Sequence, residues 1–535
     1  MKWSIVVGIG VVGITAVSSA VLMTGGRLPD VTVAATENGI TSMKVDNVEI
    51  LKSGDFGVDS VLLRKQSGET YPGSTAGRAQ FDKEHLELNK TFPWGTLKVG
   101  YATSKNRLTI SMTTTNTSDS DTIQGVKYVP IALRFPQKLK EYDGSTPLLA
   151  HNLGQVGDVA VSYGSGKLVV VSEDLDKPLM VGFPWADNRP TSTEYPLSVH
   201  TDRVSSYPDS YPTLTRPIPP KGTDTYVVSL RFGKSGTTEN KLVGDMYKKF
   251  AEVFPVRLNW TDHRPIGAIF LASAGQKWAA NPRGWFNDPA VNVMTPSGKE
   301  AFRQRLLSWA ETSIGIMHDM NAQGAITWDP EGQEFPSGTS YVGDPRMVDV
   351  MAPEMKDVVD DYFERFRKAG LRVGICVRPQ EFRLSADKTE AKQMPVLDPT
   401  QLLIDKIAYA KKRWGVTIVY LDSNTNSTDP NPLDVSIVQK VATAFPEILI
   451  IPEHSNLRYY AYSAPYKELN KGLISTPGLV RETYPNASST IYTADGPLDL
   501  YRDDLAAAVK RGDMLMYRTW YADPQNEKVK AIYKR

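Results

Sequence analysis

The chain has almost no cysteine: among 535 residues only Cys376 occurs. Disulfides within the chain are therefore excluded, and stability in an oxidising compartment must come from core size. Cys376 sits inside the apolar run Arg372 to Val377 and reads as a small buried hydrophobe, since no neighbouring motif makes it a nucleophile. Histidine is also scarce, with 6 scattered residues and neither an H-E-x-x-H nor a C-x-x-C pairing, so no metal site is expected. Charge of one sign is missing too. Lys plus Arg (61) and Asp plus Glu (60) leave a formal net charge of +1, which gives no electrostatic footing for a nucleic-acid partner. No G-x-G-x-x-G or G-x-x-x-x-G-K-[ST] loop follows any expected strand, which removes the usual reason to choose an open doubly wound sheet, and the absence of a G-x-S-x-G elbow disfavours a serine hydrolase. No cofactor is expected.

Long apolar runs are missing as well, except at the start. Between Lys2 and Arg27 there is no charge, and Ser4 to Met23 is rich in Val, Gly and Ala. Residues 1–30 read as a secretory signal, with small residues at Ser18 to Ala20 for cleavage, or as an uncleaved membrane anchor of roughly bilayer length. Either reading puts the rest of the chain outside the cytoplasm, secreted or held at a membrane.

What is present falls into two patterns. From 38 to 235 apolar and polar residues alternate in short runs separated by Gly, Asn, Asp, Ser and Pro. Leu97, Val99 and Tyr101 alternate with polar neighbours, as do Leu108, Ile110 and Met112, and then Tyr226, Val228, Leu230 and Phe232. A period of two with a wet face predicts an antiparallel β-sandwich. Residues 236–263 predict a linking helix, over Glu239 to Phe254.

From 264 to 535 apolar runs alternate with amphipathic helices, which predicts a (β/α)8 barrel. Its strands are expected at Ile266 to Ser273, Ala325 to Trp328, Leu371 to Val377, Val416 to Leu421, Ile448 to Ile451, Gly478 to Glu482, Thr490 to Thr493 and Met514 to Tyr517. Gly370 and Gly415 are placed to end the helices before strands three and four.

In such a barrel the residues just past each strand face the pocket. Strand two delivers Trp328, Asp329 and Glu331, strand three Arg378 and Glu381, strand four Asp422 and Asn424, and strand five Glu453 and His454. Strand six is expected to deliver Arg481, Glu482 and Tyr484, strand seven Asp495, and strand eight Arg518, Trp520 and Tyr521, with Trp278 and Trp285 in the loop after strand one. Carboxylates and arginines bind vicinal hydroxyls while aromatic faces cover pyranose rings, so a carbohydrate substrate is expected. The plainer readings are weighed alongside: a strand-end Asp can cap the next helix, His454 can be a wall residue, and Asp329, Glu331 and Arg378 can form a structural ion pair. Asp422 is the candidate nucleophile, being short and rigidly held, and Glu453 the candidate acid/base, having the longer reach.

With Tyr420 to Asp422 after strand four, Pro452 and Glu453 after strand five, and Ala494 and Asp495 after strand seven, the arrangement resembles the α-amylase superfamily and the endo-α-N-acetylgalactosaminidases. That resemblance implies a nucleophilic Asp422, an acid/base Glu453 and a third catalytic carboxylate, Asp495. It covers roughly residues 264 to 520 and is topological, since no Arg stands two residues before Asp422 and no Asn-His precedes Asp495. A sandwich joined by a helix to a barrel also resembles the α-galactosidase-like and α-glucosidase-like hydrolases, which pair the strand-four Asp with an Asp on strand six, a residue not read here. The expectation is an exported, retaining glycoside hydrolase of α-linked oligo- or polysaccharides. The alternative is a noncatalytic glycan-binding or surface-assembly protein on the same scaffold.

Overall fold

The structure, a computed structural model, describes residues 28–135, 148–151, 158–163, 166–175, 179–183, 194–201, 216–272, 277–332, 341–384, 391–396, 398–423 and 436–534. The segment read as a signal or anchor lies almost wholly outside them, and among the described residues no helix is long and apolar enough to cross a membrane.

The alternation in the first part of the chain produces two antiparallel sheets. One has seven strands, with Arg107–Asn116 pairing Gly95–Ser104 on one side and Thr223–Lys234 on the other; the second, of six, is built on Gly57–Arg64 and Thr122–Val129. All ten alternating residues named above are buried in one cluster with Val61, Val126 and Tyr128 of the second sheet, while Thr113 and Thr225 pair hydroxyls on the outer face. The ordered sheet structure starts ahead of residue 38, because Val31–Thr36 pairs with Gly39–Val45 and Val31 joins the core.

Helix Glu239–Val253 starts at Thr238, whose side chain accepts from the Lys241 N–H. Its apolar stripe of Leu242, Val243, Met246, Tyr247 and Phe250 packs on Val169 and Val171 of the seven-stranded sheet and on Tyr460, Val480 and Tyr484 of the later part of the chain. Beside it lies Arg231, 1% exposed, which donates to Ser229 Oγ (2.9 Å), the Leu242 carbonyl (2.9 Å), Glu173 (3.0 Å) and Asp245. One guanidinium thus ties the sheet to the helix.

The rest of the chain is an eight-stranded parallel sheet rolled into a near-closed barrel. Its strands, numbered one to eight in chain order, are Ile266–Phe270, Gly324–Trp328, Arg372–Val377, Val416–Leu421, Leu449–Pro452, Tyr466–Glu468, Thr490–Tyr492 and Met514–Arg518. Strand one pairs with strands two and eight, so the first and last strands meet, and the ladder is interrupted only between strands five and six. One backbone bond crosses that seam, from Ala464 N–H to the Ile450 carbonyl at 3.1 Å. Ile266, Ala268, Ile326, Cys376, Ile418, Leu449, Ile451, Met514 and Met516 fill the interior, and alternate residues such as Val373, Ile375 and Val419 pack outward on the helices. Cys376 is buried, as its place in the run requires. Gly370 and Gly415 take positive φ (73° and 69°) after helices Val359–Lys368 and Thr400–Trp414.

Strand six differs from the expectation. Residues Gly478–Thr483 are a helix, and the strand is Tyr466–Glu468, a stretch outside every expected strand. Three residues with a lysine at the centre carry no readable periodicity, while Leu479 and Val480 imitate a short apolar strand although Pro477 opens a helix there. The residues expected at that strand's end are consequently elsewhere. Arg481 pairs with buried Asp513 (3.1 Å), Glu482 accepts from Asn240 of the linking helix, and the Tyr484 hydroxyl donates to the Phe254 carbonyl at 2.7 Å. They join helix to barrel and do not face the pocket.

Replacing Arg231 with Ala leaves Asp245 and Glu173 without a buried partner, and is expected to cost about 3 kcal/mol in chemical denaturation. A loss below about 1 kcal/mol means that Arg107, which also contacts both carboxylates, suffices.

Candidate active site

Register and alternation build the site. Val377 pairs with Leu421 and Leu421 with Pro452, so one step further Arg378, Asp422 and Glu453 leave strands three, four and five at one level. Cys376, Tyr420 and Ile451 point into the barrel, and the period of two turns the next residues but one inward as well. Hydrogen bonds from Asp422 N–H to the Val377 carbonyl (2.9 Å) and from Glu453 N–H to the Leu421 carbonyl (3.0 Å) carry the sheet geometry to the carboxylates themselves. Asp329 breaks the alternation. At φ +58° it is left-handed, and it faces Asp422 and Glu331 electrostatically.

The Arg378 guanidinium has its Nε 2.9 Å from Asp422 Oδ2, while its other nitrogens donate to the Tyr341 carbonyl (3.0 Å) and Ser423 Oγ (2.8 Å). Glu453 lies against Asp422, close enough to act on its carboxyl by charge and by hydrogen bonding. Burial, with Glu453 adding to it against the pull of Arg378, pushes Asp422 up to about 7. Glu453 Oε2 also accepts from the Ser423 N–H (2.8 Å) and lies 3.5 Å from His454 Nε2, an imidazole that burial keeps neutral.

Asp329 is 4% exposed, its Oδ1 has no hydrogen-bond partner, and burial with Glu331 and Asp422 beside it raises it well above the carboxylate range. Glu331 is pushed up to about 8, chiefly by burial. The expected pairing of Arg378 with Asp329 is replaced by pairing with Asp422. The raised carboxyl is Asp422, the expected nucleophile, where the acid/base was expected to be raised.

Other candidates are distributed differently. Trp285 is fully buried, its indole N–H donating to Glu354 (2.5 Å), because Arg283 and Glu354 draw the loop after strand one inward. It presents no face to a ligand. Arg481 is withdrawn with the misplaced strand. Glu381 opens the hairpin Glu381–Leu384/Ala391–Met394 and pairs with Arg383, and Asn424 lies outside the described residues. Asp495, at φ +61°, and Arg518 form an ion pair beside Tyr521. Trp328 is in the barrel but is stacked on Phe270 (4.7 Å between ring centres) and tilted against Tyr420 (5.1 Å).

That stack continues around the barrel, with Tyr420 meeting Tyr466 (5.3 Å), Tyr466 meeting Tyr492 (6.2 Å), and Phe270 meeting Trp520 (5.2 Å). Phe270, Tyr466, Tyr492 and Trp520 are only half-buried, so the rings offered to a ligand come from strands one, six, seven and eight. Sequence reasoning missed all but Trp520, and missed Glu468, which ends strand six beside Tyr466 (3.2 Å) and Lys471. Counting inward positions from the strand ends would have found Phe270, Tyr420 and Tyr492. Among the described residues no group of three or more His, Cys, Asp or Glu is disposed to hold a metal ion. A cavity of about 680 Å³ between Arg257, Phe445 and Tyr462 lies at the opposite, amino-terminal end of the strands, away from the carboxylates.

No protein-family model matches the chain, and no curated protein matches it in sequence. Among solved structures, α-N-acetylgalactosaminidase NagBb from Bifidobacterium bifidum in its GalNAc complex superimposes with a TM-score of 0.53 at 10% identity, over 95% of this chain and 92% of that one. A quadruple mutant of the same enzyme gives 0.51 at 11% identity, over 94% and 91%. The scaffold is one that glycoside hydrolases use. At this identity the likeness establishes the fold, sheet domain and barrel together, and nothing finer.

Glu331 supplies a test of the crowding. A carboxyl held near 8 in the fold favours its protonated form, so its contribution is fully present below the ordinary carboxylate pKa and is lost as pH rises through 8. Glu331→Gln is expected to match the parent near pH 4 and to exceed it at pH 9 by on the order of 2 kcal/mol, a few degrees in melting temperature. Equal melting temperatures at pH 9 would contradict the assignment.

Proposed function

We propose that the chain is an exported glycoside hydrolase that cleaves an α-linked oligo- or polysaccharide with retention of anomeric configuration. The observation that carries the proposal is the Asp422 and Glu453 pair: two carboxyls leaving adjacent strands at one level, one of them held by an arginine. Glycosidic cleavage requires two carboxyls, one acting as an anion and one as an acid. Export rests on the apolar N-terminal segment, and the sugar as substrate on the half-buried rings at the strand ends of the same barrel.

The roles follow from the contacts. Arg378 favours the anionic form of Asp422, so the acid role falls to Glu453, the more exposed of the two. Asp422 then attacks the anomeric carbon as Glu453 protonates the leaving oxygen and the glycosidic bond breaks. In the second half a water attacks the same carbon, gives its proton to Glu453 and releases Asp422. Retaining enzymes hold their carboxyls about 5 to 5.5 Å apart and inverting ones about 6.5 to 9.5 Å, and departure from adjacent strands at one level favours the shorter separation.

Two rivals have an observation each. Contact, where a sugar-sized gap was expected, favours a noncatalytic glycan-binding protein. Glu468 at the end of strand six favours an acid on that strand, paired with the same Asp422.

Asp422→Asn is expected to lower turnover on an α-linked polysaccharide panel by about 10³-fold or more, with the melting temperature kept or raised. Glu453→Gln should cost about 10²–10⁴-fold on natural linkages and much less on aryl glycosides with good leaving groups. With those substrates azide should give a glycosyl azide of the azide-rescued acid/base variant. Glu468→Gln should do neither. Transfer of that leaving-group dependence to Glu468 would move the acid to strand six, inverted product would overturn retention, and carbohydrate binding with unchanged affinity in Asp422→Asn and no turnover in any form would establish the noncatalytic reading.

A further inference from the structure

Lys406 lies on helix Thr400–Trp414, outside the strand wall, and is wholly buried. The mechanism above makes no use of it. Its ammonium donates to the carbonyl oxygens of Arg378 (2.8 Å), Gln380 (2.8 Å) and Gly343 (3.2 Å) and stands 3.6 Å from the Asp344 carboxylate. An ammonium has three protons to place and is costly to bury unless all are placed. Here they go to the two chain segments that enclose Arg378. Glu331 and Arg346 are the other charged groups acting on it, and burial lowers it to about 8.

The same two segments leave Arg378 no freedom. Gly343 accepts the Arg378 N–H at 2.9 Å, and the Tyr341 carbonyl takes one guanidinium nitrogen. Gly343 is at φ +58°, and a Cβ there would stand 2.5 Å from Arg378 Cγ, so the backbone can close over the arginine only where no side chain intervenes. With its N–H, carbonyl and two terminal nitrogens engaged, Arg378 keeps its Nε against Asp422. This arginine is occupied by protein and is not available to hold a sugar.

We propose that Lys406 is a positioning residue: by fixing the turn after strand three it holds the Arg378 guanidinium against Asp422 and so keeps that carboxyl ionisable during turnover. The inference rests on the reading of Asp422 as the nucleophile. Groups facing Asp422 are Arg378 and Cys376 from strand three, Asp329 after strand two, Tyr420 on its own strand, and Glu453 after strand five with His454 beside it. Arg378 is the one cation among them in direct contact.

The test compares Lys406→Met, which removes the clamp and a charge, with Gly343→Ala, which disturbs the same turn and removes no charge. The titration of Asp422 is read from its protonated-carboxyl infrared band, isolated by subtracting the spectrum of the matching Asp422→Asn protein, and from the pH dependence of kcat/KM. Both variants are expected to move the Asp422 midpoint up by about one pH unit, and to lower kcat about tenfold near neutral pH while KM stays within about threefold. A fall in melting temperature with the Asp422 midpoint unmoved overturns the proposal, and so does a shift in Lys406→Met with none in Gly343→Ala, which would make the effect one of charge and not of position. If Lys406→Met does not fold, Gly343→Ala decides alone. A shifted infrared midpoint in a protein without turnover on any substrate would uphold the clamp and defeat the catalytic reading, so the two can fail separately.

Discussion

The site depends on one imbalance: more carboxyl groups are buried at the carboxyl ends of strands two to five than there are cations to meet them. Asp329, Glu331 and Asp422 are all nearly inaccessible, and Glu453 touches the last, while Arg378 and Lys406 are the cations within reach. Isolated buried carboxylates are expensive, so the fold keeps protons on some of them. The result is a cluster that holds protons at neutral pH beside one arginine that keeps Asp422 able to lose its own. A core of ordinary stability would place apolar residues here, and retaining this cluster spends stability at the strand ends.

Below the charges the barrel is filled by rings. Trp520, Phe270, Trp328, Tyr420, Tyr466 and Tyr492 run as one connected series of aromatic contacts. Such a layer is stiff, because each ring inside the series is held by two neighbours. The one place where the wall lacks a ladder is the seam between strands five and six, bridged by the Ala464 bond and by Lys467, whose ammonium reaches Ser455 at 2.9 Å. Glu453 stands on one side of this seam and Glu468 on the other. Displacing Glu453 from Asp422 therefore breaks no strand pairing on its far side.

Most of this was legible in the sequence, for reasons that can be named. Strands one to five and seven and eight were readable because each is an apolar run bounded by turn signals, and the sandwich because Leu108, Ile110 and Met112 repeat at the pleat's own period. Asp422 and Glu453 follow from the same reading, since a carboxylate ending a buried run can only emerge at the barrel's end. Strand six was not legible: with three residues and an outward lysine, it has no pattern to detect. That miss carried Arg481 into the pocket on paper and left Glu468 out of it. Trp285 was misjudged because loop tryptophans look available until a partner such as Glu354 is known. Lys406 was invisible for a related reason, as a helix lysine is ordinarily solvated and its three carbonyl acceptors come from segments far apart in sequence.

The two acids flanking the seam can be weighed on physical grounds. Glu453 is one register step from Asp422, accepts from the Ser423 N–H at 2.8 Å and lies 3.5 Å from His454 Nε2. Glu468 is engaged instead by the Lys471 ammonium and the Tyr466 hydroxyl. A general acid must stand within reach of the bond that the nucleophile attacks. The register of strands four and five brings Glu453 directly to Asp422, which supports the acid proposed on strand five, while Glu468 lies across the seam beside Tyr466.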